Sequence, residues 1–173
     1  MRYCRCILLC IQDVDVLSEL KARVVELAKI DEYVVSQSKL GFFLYAKLGT
    51  SSKSLNLGTM IEVQGERDSV GVDGPPERWY AKLLGIAEPV CMDQVYVTNH
   101  PITYPLIAFV MYYDKCRPLS LHGVTGYEEY IPEAVDVIST ESIVRLAHFI
   151  HDNDSSDDDL IALNPFANFP KFW

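Results

Sequence analysis

Apolar and polar positions follow two different periods along this chain. From Leu17 to Ile30 they recur at helical spacing. Leu17, Leu20, Val24, Leu27 and Ala28 fall on one face, and Ser18, Lys21, Arg23, Glu26 and Lys29 on the other. Asp13 or Asp15 offers an N-cap, and Glu19 can pair with Arg23 one turn on. A short second helix is predicted from Pro76 through Trp79, Leu83 and Leu84, with proline in its first turn and Gly85 closing it. A third is predicted from a Ser139 or Thr140 cap to about His151, with Ile143, Leu146, Ala147 and Ile150 as its buried stripe.

Elsewhere the pattern is that of strands: short apolar or alternating runs bounded by turn residues. Residues 3–12, 33–36, 41–46, 59–64, 90–98 and 106–114 read this way. In the last of these, Val110, Tyr112 and Asp114 share one face, with Phe109, Met111 and Tyr113 on the other. The Ser-, Gly- and Asn-rich stretch 49–58 and the acidic stretch 66–76 read as loops. Residues 115–138, broken by Pro118, Gly123, Gly126 and Pro132, read as irregular. A chain of 173 residues implies one domain with a core of its own. The expected fold is therefore α+β: a single compact domain with a mixed or mostly antiparallel sheet packed with two to three helices. It is expected to span 1–151, followed by an acidic linker and an apolar C-terminal segment over 152–173.

Charge narrows the partners. Fifteen basic residues face 24 acidic ones, a formal net charge of −9. Phosphate-backbone binding draws its affinity from clustered Lys and Arg. Scattered bases on an acidic chain therefore argue against direct nucleic-acid binding and toward a protein partner with a basic surface. No run approaches the ~20 apolar residues that cross a membrane, and no membrane role is expected. The N-terminal run Cys4 to Ile11 is short and meets Asp13 and Asp15 with no small-residue cleavage site, so it reads as a buried strand rather than a leader. Five scattered cysteines fit reduced thiols in a cytoplasmic setting.

Chemistry-bearing residues give weak patterns. Cys4, Cys6 and Cys10 lack the turn-based spacing of a zinc site and suit a buried strand face. His148 and His151 stand three apart, and His122 could join them, but helix-end histidines also suit the macrodipole. Cys116 or Ser120 can be grouped with His122 and Asp114 as nucleophile, base and orienting acid, yet proximity in sequence does not supply the geometry. The acidic run 152–159 departs from a calcium loop at its sixth and twelfth positions, Asp157 and Leu163. Gly65 to Gly74 matches no phosphate-cradling motif. No cofactor is expected.

The C-terminal segment offers a different chemistry, acidic residues that steer and spaced aromatics that anchor. Asn164-Pro165-Phe166 resembles the short peptides bound by trafficking modules, and the acidic tail ending at Trp173 resembles the recruiting tails of single-stranded-DNA-binding proteins. Asp157, Asp158, Asp159, Phe166, Phe169 and Trp173 are accordingly the candidate partner-binding residues, unless this segment folds back onto its own domain. The expectation is a small acidic non-catalytic protein-binding protein, such as an inhibitor, immunity-type protein or adaptor. The alternative is a small hydrolase or metal-dependent enzyme using His122, His148 or His151.

Overall fold

Two β-bulges decide the architecture, because each places apolar residues three apart on one side of a strand and so imitates a helix. The computed structural model describes residues 14–31, 40–50, 53–64, 78–91, 104–121, 124–151 and 161–164. Within them stand one helix, α1 (Val14–Leu27), and ten strands. These are β1 (Leu40–Tyr45), β2 (Lys47–Thr50), β3 (Lys53–Asn56), β4 (Met60–Gln64), β5 (Arg78–Cys91), β6 (Ile107–Leu121), β7 (Val124–Ser139), β8 (Ile143–Leu146), β9 (Phe149–His151) and β10 (Ile161–Leu163). The described fold is mostly antiparallel sheet with one helix, which overturns the expected sheet packed with two to three helices.

The main sheet runs in the order β8-β4-β5-β6-β7-β10-β9, and β1 pairs with the far half of β5. The described part of the expected helix over 76–84, from Arg78 on, is instead the start of β5. Its register slips between Leu83 and Gly85, so Leu83 and Ile86, three apart, enter the same core. The expected helix over 139–151 is likewise extended. Ser139 does cap, accepting a bond from the Glu141 N–H at 3.2 Å, but the capped element is a single 3-10 turn, Thr140–Ser142. Beyond it a register shift opposite Glu62 and Val63 leaves Ile143 and Leu146 facing one core. The described parts of the expected irregular stretch 115–138, residues 115–121 and 124–138, are strand as well, and Pro132 sits at a register shift, where a missing N–H costs the ladder little. Residues 49–58, expected to be a loop, hold most of the β2–β3 hairpin. The predicted strands at 3–12 and 33–36 lie outside the described residues.

Each face of β5 and β6 buries a different layer. On one, Ile61, Val63, Ala81, Leu83, Val110 and Ile143 are closed over by Leu48 and Leu55 of the β2–β3 hairpin. Ile138 before the 3-10 turn and Ile143 after it join the same cluster, so β7 and β8 bring both sides of the sheet around one core. On the other face, Leu20 and Val24 of α1 cover Ala87, Ile107, Phe109 and Val137. No helix among the described residues is long and apolar enough to cross a membrane.

Candidate functional site

The face that carries α1 is covered at two ends and open between them. Register fixes its layout, since alternate residues share a face and cross-strand partners stand side by side. Met60, Lys82, Met111 and Val135 form one row across β4 to β7. The next row holds Arg145, Glu62, Tyr80, Tyr113 and Pro132. Beyond it Arg78 lies on β5, and Lys115 pairs with Tyr130 between β6 and β7. In the first row Lys82 is exposed and Met60, Met111 and Val135 are half-buried, whereas the rows under α1 are buried.

An aromatic cluster closes the far end. Tyr80, Tyr130 and Phe149 meet edge to face, with centroids 5.3–5.6 Å apart and ring planes 76–86° from one another. Tyr113 lies 6.5 Å from Phe149. Tyr80 and Phe149 belong to β5 and β9, which lie far apart in the sheet order, so this end of the sheet curls onto its own face. Edge-to-face pairs of this kind add about 0.5–1.5 kcal/mol beyond area burial. Burial raises the phenol pKa of both Tyr80 and Tyr130; Tyr130 is held higher still by the Glu128 carboxylate that its hydroxyl contacts at 3.1 Å.

Charge is organised around a buried carboxylate. The Glu62 side chain is 2% exposed and accepts a bond from Arg145 Nε at 2.6 Å. Its second oxygen, Oε1, lies 3.2 Å from Arg78 Nη1 but accepts no hydrogen bond, so that contact is Coulombic and imperfectly aligned. The Arg78 side chain is 63% exposed, so its guanidinium is steered by Glu62 while most of it faces solvent. Lys115 pairs with Glu128, whose carboxyl pKa is lowered chiefly by that hydrogen bond. On β6 and β7, Arg117 Nε also bonds Glu129 Oε2 at 2.5 Å. The open strip thus carries four cations, Arg78, Lys82, Arg145 and Lys115, against the two partnered carboxylates Glu62 and Glu128. It is locally basic on an acidic chain.

The residues singled out from sequence fall elsewhere. Asp157, Asp158, Asp159, Phe166, Phe169, Trp173 and His122 lie outside the described residues. His148 is exposed between β8 and β9, its Nδ1 3.2 Å from Asn164 Nδ2, and His151 ends β9 opposite Ile161. Among the described residues no three metal-ligating side chains gather. Asp114, Cys116 and Ser120 are strung along β6, the first and last about 20 Å apart at ~3.3 Å per strand residue. His122, the base that would link them, lies outside the described residues. Sequence reading passed over Glu62, Arg78, Tyr80, Lys82, Tyr113 and Phe149. The alternation Arg78-Tyr80-Lys82 against Trp79-Ala81-Leu83 was the available signal, concealed by the helix-like spacing that the bulge creates. Comparison with protein-family models, curated proteins and solved structures finds no match.

Proposed function

We propose that this chain is a non-catalytic protein-binding module that receives its partner on the open strip of β4–β7. The observation that supports this most directly is the half-buried pair Tyr80 and Tyr113, set side by side next to Met60 and Met111. Tyrosine, methionine and arginine are enriched where proteins meet. A tyrosine anchors through its ring at low entropic cost, and a thioether adapts to the shape it meets. The strip offers anchors and fixed charges, the two means by which a protein surface holds a partner.

A photo-crosslinking amino acid placed at position 111, in native lysate, tests the reading. A discrete protein adduct is expected at Met111, lost when excess wild-type protein competes, with none from the exposed turn residue Leu57 as control. Equal labelling from both positions, or none from Met111, overturns it.

A further inference from the structure

The strip departs in sign from the chain that carries it, and that sign selects an occupant. Resting on the protein-binding reading above, we propose that the strip takes an extended acidic peptide segment. Arg78 and Lys82 clasp its carboxylates, and an apolar side chain of the segment rests between Tyr80, Tyr113 and Met111. Arg78 and Lys82 are four residues apart on one face of β5, about 13 Å at ~3.3 Å per residue, with Tyr80 midway. An extended peptide lying along β5 repeats at the same pitch, so carboxylates four positions apart meet both cations while the residue midway meets the tyrosine. Arg78 is partly pre-organised for this. Glu62 engages one terminal nitrogen, and the exposed remainder of the fork suits a carboxylate. Lys82 is exposed and Lys115 is 55% exposed at the border of the same strip.

The ring geometry favours a peptide over single-stranded nucleic acid. Tyr80, Tyr130 and Phe149 pack edge to face at 5.3–5.6 Å, so their rings are not set parallel in a row along which successive bases could stack. A net charge of −9 also repels a long polyanion, whereas a short acidic segment feels mainly the cations within a Debye length of about 8 Å.

Amide resonances of residues 78–82 and 111–115 in the intact chain, titrated with three synthetic probes, provide the test. The probes are a short Glu-rich peptide with one central Phe, the same peptide with Gln for Glu, and an oligothymidylate. The Glu peptide is expected to shift these resonances and to weaken as salt rises. Lys82→Glu and Arg78→Glu are each expected to reduce its affinity about tenfold, equivalent to roughly 1.4 kcal/mol. Both positions are exposed, and an unchanged spectrum under α1 verifies the fold. Equal binding of the Gln peptide, insensitive to both charge reversals, overturns the acidic occupant and leaves the protein-binding reading standing. Stronger shifts with the oligothymidylate overturn both. Binding of the Glu peptide that leaves residues 78–82 and 111–115 unmoved also overturns both.

Discussion

Arg145 donates to Glu62 across 83 residues of sequence, and the carboxylate it meets is almost fully withdrawn from water. This bond joins β8 to β4. It also holds the charge that steers Arg78 at the edge of the open strip.

Breaking that pair from one side should be costly. Arg145→Ala leaves Glu62 with only the misaligned Arg78 contact, and loss of one partner of a buried pair costs about 3–5 kcal/mol. Replacing both residues, Glu62→Leu with Arg145→Met, should recover most of the loss, because no buried charge then remains. Denaturant midpoints of the single and double variants measure the difference. A single variant as stable as wild type contradicts the assignment.

The hairpin that caps the main core should be as important as the sheet beneath it. Leu55 is fully buried in β3 against that core. Leu55→Ala is expected to cost about 2–5 kcal/mol. The exposed neighbour Leu57 gives the control, since Leu57→Ala should stay within about 0.5 kcal/mol. Thermal and denaturant unfolding of the two variants side by side separate the cases.

Tyr80 and Tyr130 should resist ionisation. Both phenols have pKa values raised above the ordinary 10.0, burial being the larger cause in each. The sign follows: the folded state holds these protons more tightly than the unfolded state. Their contribution to stability is complete below pH 10 and is lost as pH rises through the folded values. Phenolate absorbance should therefore appear in two waves in the native protein and in one after denaturation. A single native wave at the ordinary value contradicts the packing described.

Glu128 and Lys115 bear on the opposite end of the pH scale. The Glu128 pKa is lowered from 4.5, first by the Lys115 hydrogen bond, so the pair stabilises the fold above that value and fades as pH falls below it. Both side chains are well solvated, which limits the effect to about 0–1 kcal/mol. Wild type should exceed Lys115→Ala by that small margin at neutral pH and converge with it in acid. A gap that widens on acidification reverses the sign and refutes the pairing.

How much of this was legible in the sequence depended on whether a strand kept its period. α1 was readable because a helix resting on a sheet needs one unbroken apolar stripe, and Leu20 and Val24 are buried as that stripe requires. β4 against β5, and the first half of β6 against β7, pair without a register shift, and the predicted split of Val110 and Tyr112 from Phe109 holds across the two cores. β5 and β8 were misread for one physical reason, the inserted residue that resets alternation and spaces Leu83 from Ile86, and Ile143 from Leu146, by a helical interval. The strip followed β5 into that error. Its residues belong to four strands whose adjacency is a matter of register, which no local window contains. Tyr80 and Phe149 meet only because the sheet curls, a property of the assembled strands.

The position of β10 bears on the order of assembly. It lies between β7 and β9 in space, yet follows both in the chain. During synthesis β9 emerges with its sheet neighbour still to be made, and the edge of β7 from Glu128 to Tyr130 waits unpaired until residues 161–163 arrive. Ribosomal pausing across that interval prolongs the life of an open strand edge, the feature by which nascent β-proteins capture one another. Among the described residues, the pairing that closes this edge of β7 is three residues long, Ile161 to Leu163 against Glu128 to Tyr130.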